Sequence, residues 1–245
     1  MGTKLNAREV KIHPRKSQPM LVSLKYNFVF FSNPKCATTS IENAIKKYCE
    51  ISLNSVNIGG KHISPHKFKK SWGPFLRKQY PKSSSYQKIC TCRHPISKMI
   101  SWYDYRCRKK LLASKRIDKY LGDIPFEEWC LNEMKQTNTG FFLNRDFKSE
   151  VDLAVPISSL DILEKHFSTT IGKSIHFKQL NSSSNNTTKK TDSQDRFKFA
   201  ASNLNHASTE FIKRIDYFEQ LENVFKTEEI SSIPDLILRI KDINV

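Results

Sequence analysis

The sequence contains no apolar run near the roughly 20 residues that are needed to cross a bilayer. Residues 1–20 are polar and basic and have no apolar core of the kind that a secretory signal requires. The six cysteines are too sparse for a disulfide scaffold and show no CxxC spacing, so we expect mainly buried free thiols. These absences predict a soluble, cytoplasmic protein, or a protein of the Golgi lumen if the chain is a piece of a longer one.

Acidic residues are also scarce. The chain has 24 Asp and Glu against 41 Lys and Arg, which gives a formal net charge of +17. A charge of this size attracts polyanions: nucleic acid, anionic membrane, acidic glycan or a nucleotide with several phosphates. Charge alone does not select among these partners. Hydrophobic residues make up 38% of the chain, which is enough for a packed core and argues against global disorder.

The order of apolar runs and helical patterns predicts the fold class. Apolar strands are predicted at 26–31, 87–92 and 151–157. Helices are predicted at 38–49, 65–70, 126–134 and 208–225. Three further helices are predicted: one that begins after His94-Pro95, one around Leu160 to Phe167 and one from Pro234 onward. Alternating strands and helices predict one α/β domain with a parallel sheet covered by helices on both faces. We assign residues 1–22 to a basic N-terminal arm, 23–245 to the domain, and the polar stretch near 181–197 to a mobile loop.

One loop carries most of the chemical information. It follows the first strand, reads Ser32-Asn-Pro-Lys-Cys-Ala-Thr-Thr-Ser40 and runs into an amphipathic helix. A helix N-terminus presents unpaired N–H groups and a partial positive charge, and it therefore binds phosphate. Lys35 adds a full positive charge, and Thr38, Thr39 and Ser40 add hydroxyl donors. The loop is P-loop-like but not a Walker A loop, because it has no glycine and its lysine precedes the first threonine by three residues.

A second candidate anion site follows the second strand. Arg93 stands at the strand end, where a guanidinium group can hold a phosphate through two hydrogen bonds. Ser101 lies eight residues further on, in the next helix, and its hydroxyl could reach the same anion. His94 follows the arginine directly and is expected to orient this loop. Ligands of such sheets bind beyond the carboxyl ends of the strands, so we expect both loops at one edge.

Together the two loops resemble those of the PAPS-dependent sulfotransferases, in particular the carbohydrate sulfotransferase group. These enzymes use 3′-phosphoadenosine 5′-phosphosulfate (PAPS) as sulfate donor and release 3′-phosphoadenosine 5′-phosphate (PAP). Their first loop, typically PKxGxTS, grips the 5′-phosphosulfate, and their second loop grips the 3′-phosphate. By this resemblance the 5′ end would be bound by Lys35, Cys36, Ala37, Thr38, Thr39 and Ser40, and the 3′-phosphate by Arg93 and Ser101.

The resemblance extends over residues 25–225, although only the two loops are diagnostic. The family carries glycine at the position of Ala37, and a methyl group is expected to fit there only at negative φ. Small relatives often have Arg-x-Glu-x-Leu after the third strand, where this chain has Pro156-Ile-Ser-Ser-Leu160. Recognition of the acceptor is therefore expected to differ.

The chemistry implied is sulfuryl transfer to a hydroxyl acceptor, expected to be a saccharide that can itself be acidic. The reaction needs charge neutralisation on the leaving phosphate, in-line placement and a base for the acceptor proton. Lys35 is expected to neutralise the leaving oxygen. His62 is the candidate base, with His66 as the alternative and Glu42 as a weaker one, since histidine titrates near neutral pH. The scheme requires no metal.

Two other functions fit parts of the sequence. A P-loop-like nucleotide or phosphoryl-transfer enzyme would need a Walker lysine and Mg²⁺-binding aspartates at strand ends, and Lys35 is misplaced for that role. A basic nucleic-acid-binding module would interleave basic and aromatic residues, as residues 102–110 do only in part. Nucleic acid is therefore the less favoured partner.

Overall fold

The computed structural model describes residues 20–53, 62–81, 86–112, 117–178, 187–226 and 232–245. Within them one α/β domain is built on a five-stranded sheet flanked by helices. The strands are β1 (Met20–Ser23), β2 (Phe28–Phe31), β3 (Ile51–Leu53), β4 (Gln87–Cys92) and β5 (Leu153–Pro156). The helices are α1 (Thr38–Ile45), α2 (Pro65–Lys70), α3 (Trp72–Gln79), α4 (Pro95–Arg106), α5 (Phe126–Met134), α6 (Leu160–Ile171), α7 (Thr187–Ser202), α8 (Thr209–Lys226) and α9 (Ile233–Asp242).

The sheet is mixed, so the prediction of a parallel sheet was wrong for part of it. The strand order is β3-β1-β2-β4-β5; β2, β4 and β5 are parallel, whereas β1 runs antiparallel to both β2 and β3. The cause lies in the connection between β1 and β2, residues 24–27, which is a tight turn with Asn27 at φ 58. A turn this short joins only antiparallel neighbours, because a parallel pair needs a long crossover.

Two of the predicted domain boundaries need correction. Met20, Leu21 and Val22 were assigned to the N-terminal arm, but they lie in β1 and are at most 1% exposed. Residues 1–19 lie outside the described part of the chain. The prediction of a mobile loop near 181–197 fails for 187–197, which belong to α7, while 181–186 are not described.

The helix α7 is held in place by an arginine and by a short apolar segment, Phe197, Phe199 and Ala200, that packs against α4 and α5. Its largely polar sequence did not reveal the helix. Arg196 forms an ion pair of 2.8 Å with Asp104 of α4. Its guanidinium lies 5.0 Å from the ring centre of Tyr103 and 5.4 Å from that of Phe126. Cation–π contacts of this kind stabilise a packed helix beyond what its hydropathy indicates.

Several elements match their predictions. The bounds of β4, α2 and α5 are those that the sequence indicated. The start of α2 follows the capping rule: Pro65 is the first helical residue, and the Ser64 hydroxyl accepts a hydrogen bond from the Lys67 amide at 3.3 Å. The strands β1 and β3 and the helix α3 were not predicted, because each is short and has little periodic pattern.

The core lies around the central strand β2. All four of its residues are at most 1% exposed, so both faces of this strand are covered. On one side Phe167 of α6 contacts Phe28 and Phe30, with ring centres 5.1 and 6.4 Å apart. All six cysteines are free and four are buried, in agreement with the sequence. In the part of the chain that the structure describes, no helix is both long and apolar enough to cross a membrane.

Candidate anion-binding site

The two loops singled out in the sequence leave the same edge of the sheet. The parallel strands β2 and β4 are paired with Phe31 opposite Cys90, so their carboxyl ends lie side by side. Residues 32–37 then lead from β2 into α1, and Arg93 and His94 lead from β4 into α4. The N-termini of two helices thus meet at one edge, as the sequence predicted.

The first loop contains two residues in the left-handed backbone region. Lys35 has φ 66, and Ala37, the N-cap residue of α1, has φ 56 and ψ 13. The condition under which a methyl group was expected to fit at Ala37, a negative φ, is therefore not met. An L-residue in this region costs about 1–2 kcal/mol relative to right-handed backbone, so surrounding contacts must hold the loop in this shape.

Those contacts come from the neighbouring strand and helix. The Thr91 hydroxyl of β4 donates to the Cys36 carbonyl at 2.6 Å, and Asn33 Nδ2 donates to the Thr91 carbonyl at 2.9 Å. Lys98 Nζ of α4 donates to Asn33 Oδ1 at 2.8 Å. Thr91 and Asn33 are at most 1% exposed. Because these bonds are buried and directional, they fix the loop before any ligand arrives.

Lys35 is electrostatically unusual. Partial burial and, after it, the positive charges of Arg108 and Arg93 together lower its pKa to about 8, against an opposing contribution from Asp104. Burial and neighbouring positive charges both destabilise the protonated form of the Lys35 amine. Lys35, Arg93 and Arg108 therefore form one cationic cluster, and the nearby Asp104 carboxylate pairs with Arg196.

The helix α4 turns one face toward this cluster. Lys98 reaches Asn33 of the first loop, and Tyr105 contacts Lys35, whose Nζ lies 5.2 Å from the tyrosine ring centre. Positions 98, 101 and 105 are spaced by three and four residues and share a helix face. Ser101 therefore lies between two residues that contact the first loop, and its hydroxyl is on the side of the cationic cluster.

Arg93 carries a buried donor without an acceptor. Its Nε atom has no hydrogen-bond partner among the described residues, and burial lowers the pKa of its guanidinium. Arg106 and Arg214 also have an unpartnered buried Nε, but neither stands at a strand end beside Lys35. A buried N–H group without an acceptor is costly, and an anion bound at this edge would satisfy it.

The hydroxyl residues of the first loop occupy the first turn of α1. Thr38 and Ser40 are 3% and 8% exposed, and Thr39 is more accessible. The Ser40 amide bonds to the Ala37 carbonyl at 3.2 Å, which closes the turn. The predicted hydroxyl residues thus stand at the helix N-terminus, where amide groups favour negative charge.

The two candidate histidines lie in different surroundings. His62 Nδ1 is 2.6 Å from the carbonyl oxygen of Ser32, the first residue of the first loop. His66 Nδ1 instead contacts Glu150 Oε1 at 3.2 Å, and its side chain is 55% exposed. The structure therefore brings His62, and not His66, to the loop.

The partner of His62 defines its tautomer. A carbonyl oxygen only accepts hydrogen bonds, so Nδ1 carries the proton and Nε2 is the basic nitrogen of the neutral ring. Ser32 also donates its hydroxyl to Glu42 Oε1 at 2.5 Å. Glu42 is 4% exposed, and its hydrogen-bond donor, Ser32, is the residue whose carbonyl oxygen contacts His62.

His94 has a structural position, as its place in the sequence suggested. Its Nδ1 accepts a hydrogen bond from the Ile96 amide at 3.2 Å and caps α4. The ring packs against Phe197 and Phe218, with centres 5.2 and 5.4 Å away. Burial lowers its pKa, which keeps it neutral and able to accept that bond.

Comparison of the chain with protein-family models, curated proteins and solved structures found no match. The assignment of the site therefore depends on the chemistry of its own residues. Among the residues that the structure describes, no three His, Cys, Asp or Glu side chains are grouped so that they could hold a metal ion.

Sequence reasoning missed four contributors: Asn33, Thr91, Lys98 and Arg108. Asn33 and Thr91 are neutral residues whose role depends on pairing between β2 and β4, which no local pattern reveals. Lys98 carried a signal, since it is three residues before Ser101 on the same helix face. Arg108 lies beyond the end of α4, and only the turn of the chain after Arg106 brings it to Lys35.

Proposed function

We propose that this chain is a sulfotransferase that moves a sulfuryl group from PAPS to a hydroxyl acceptor, with a saccharide as the acceptor. One observation carries the proposal: Lys35 and Arg93 follow the adjacent ends of β2 and β4, and Lys35 and Arg108 lie 5.2 and 5.8 Å from the ring centre of the same Tyr105. A donor with anionic groups at both its 5′ and its 3′ end suits two separate phosphate grips. A single phosphate would need only one of them.

The proposed 5′ grip is the first loop. Lys35 and the α1 N-terminus, with Thr38, Thr39 and Ser40, would hold the phosphosulfate. The cost of crowding Lys35 against two arginines is recovered when an anion binds between them, because opposite charge favours the protonated amine. Lys35 would then neutralise the charge on the bridging oxygen as it leaves.

The proposed 3′ grip is formed by Arg93 and Ser101. The buried Nε of Arg93 lacks an acceptor, and a phosphate oxygen would supply one. Ser101 lies on the α4 face that contacts the first loop. The two grips would therefore hold one nucleotide across the edge of the sheet.

His62 is the proposed general base. Its Nε2 would accept the proton of the acceptor hydroxyl while the Ser32 carbonyl holds the ring through Nδ1. The acceptor oxygen forms a bond to sulfur, and the bond between sulfur and the bridging oxygen breaks. The electron pair of that bond stays on the 5′-phosphate of PAP, where Lys35 stabilises it.

The cytoplasm, or the Golgi lumen for a piece of a longer chain, stays the predicted location.

The test is a comparison of nucleotide affinities by calorimetry. PAP is expected to bind more tightly than adenosine 5′-phosphate, because only PAP fills the 3′ grip. Arg93→Ala should abolish that preference, while Arg145→Ala, an exposed arginine elsewhere, should leave it unchanged. ATP with Mg²⁺ as the only ligand bound would refute the sulfotransferase and support the phosphoryl-transfer alternative. A preference that persists in Arg93→Ala would remove Arg93 from the site.

A further inference from the structure

A second group of basic residues, none of them part of the cationic cluster, lies on α2 and α3. The chain has no Asp or Glu between Glu50 and Asp104. The two helices fall in this interval and carry Lys67, Lys69, Lys70, Arg77 and Lys78, all exposed. None of these five side chains forms an ion pair with another described residue. We call them, with Phe75 and Tyr80, the α2–α3 face.

The α2–α3 face is fixed to the domain rather than loosely attached. Phe68 of α2 is buried and contacts Phe31 of β2, with ring centres 5.3 Å apart. Leu76 of α3 is 2% exposed and belongs to the same core. At Gly73 an added Cβ would lie 3.3 Å from the Phe68 carbonyl oxygen, so glycine permits the close contact of the two helices. Because the core fixes the orientation of both helices, their basic side chains are held on the solvent side.

Large aromatic side chains stand among these cations. Phe75 is 50% exposed and Tyr80 is 44% exposed. Trp72 is half-buried and contacts the Phe75 ring edge-on at 6.2 Å. An exposed phenylalanine makes no hydrogen bond to water, and burial of such a ring is favourable. The α2–α3 face thus combines an exposed phenylalanine in contact with Trp72, an exposed tyrosine and five exposed cations on two short helices.

We propose that the α2–α3 face binds an anionic lipid membrane surface. Clusters of four to eight Lys and Arg are attracted to acidic headgroups, at about 1 kcal/mol for each residue near the surface. Trp and Tyr are enriched at the headgroup level of membranes, and a Phe between them can enter the acyl boundary. Single-stranded nucleic acid, another polyanion, needs accessible ring faces for base stacking, and here Trp72 already contacts Phe75. The inference is independent of sulfuryl transfer.

The test is co-sedimentation of the full chain with vesicles. Binding is expected to vesicles of phosphatidylcholine with about 30% phosphatidylserine, to weaken with salt, and to be absent on pure phosphatidylcholine. Replacement of Lys69, Lys70 and Lys78 by Gln should lower the partition coefficient about a hundredfold. The matched control replaces Lys119, Lys165 and Lys241 by Gln, which changes the net charge equally at exposed positions on other elements.

A second pair of variants tests the apolar contribution. Phe75→Ser with Tyr80→Ser should weaken vesicle binding about tenfold without any change of charge. The control pair is Ile117→Ser with Leu238→Ser, which are 59% and 60% exposed elsewhere. All substituted positions are exposed, and thermal unfolding of each variant verifies that it folds.

Three results would overturn the proposal. Equal losses in the face variants and their controls would mean that net charge alone attracts the vesicles. Equal binding to both kinds of vesicle would exclude recognition of acidic headgroups. Tighter binding to single-stranded oligothymidylate than to anionic vesicles, weakened by Phe75→Ser with Tyr80→Ser, would identify the α2–α3 face as a nucleic-acid site.

Discussion

The Thr91 hydroxyl donates a hydrogen bond of 2.6 Å to the carbonyl oxygen of Cys36, and the bond is buried. It joins β4, which carries Arg93, to the loop that carries Lys35. The two cationic side chains therefore do not depend on separate, independently moving loops. Their spacing is built into the protein itself, which reduces the ordering needed on binding of a ligand with two anionic groups.

Replacement of Thr91 tests this connection. Thr91→Val keeps the shape of the side chain but leaves the buried Cys36 carbonyl without its donor, so the free energy of unfolding should fall by about 1–3 kcal/mol. Affinity for PAP should fall as well, because the loop loses its anchor. Thr91→Ser retains the hydroxyl and is the control. The measurement is denaturant unfolding with calorimetric titration, and equal stability of Val and Ser variants would contradict the prediction.

The substitution Ala37→Gly is expected to stabilise the protein. Its φ of 56 is unfavourable for alanine and unstrained for glycine, so Ala37→Gly should raise the free energy of unfolding by about 0.5–1 kcal/mol after the entropy of the unfolded glycine is subtracted. Ala201→Gly, an exposed position in α7, should instead lower it by about as much. A loss of stability in Ala37→Gly would show that the methyl group makes contacts worth more than the strain.

These examples show what the sequence could predict. The strands β2 and β4 are predicted by local apolar runs, and the start of α4 by its proline and cap. The parallel arrangement of β2 and β4 places Lys35 and Arg93 at one edge of the sheet. The antiparallel β1 was missed because its four residues, Met20–Ser23, follow a basic stretch and carry no period of their own. The φ of Ala37 was missed because the loop depends on a hydrogen bond from Thr91, 55 positions after Cys36, and no short window contains both residues.

His62 is expected to act in turnover and not in nucleotide binding. His62→Ala should lower kcat about 10²- to 10⁴-fold and leave the Kd for PAP unchanged, because a base contributes to proton transfer alone. His66→Ala is the matched control, since His66 contacts Glu150 rather than the loop. Near-normal turnover of His62→Ala, with a defect in His66→Ala, would transfer the role to His66.

Lys35 should make both stability and anion affinity depend on pH. Its pKa in the folded protein is about 8, against 10.5 in the unfolded chain, so between these values the unfolded chain holds a proton that the folded protein has lost. The contribution of Lys35 to the stability of the ligand-free protein should therefore rise with pH through this window, measured as the difference from Lys35→Arg, whereas the buried thiols, whose pKa values burial raises, contribute in the opposite direction. Affinity for PAP should change in the opposite direction and fall above about pH 8, because the neutral amine no longer attracts phosphate.

Variants at two neighbouring positions separate Lys35 from other groups. Lys35→Arg keeps a positive charge throughout this range, so the fall in PAP affinity near pH 8 should disappear. Arg108→Gln removes a positive neighbour and should move the midpoint of the fall to higher pH, whereas Lys109→Gln, next to it but not among the charges that perturb Lys35, should not. The measurement is calorimetric titration of PAP from pH 7 to pH 10. A midpoint that stays in place in Lys35→Arg would mean that another group controls the affinity, and the electrophilic role would then pass from Lys35 to that group.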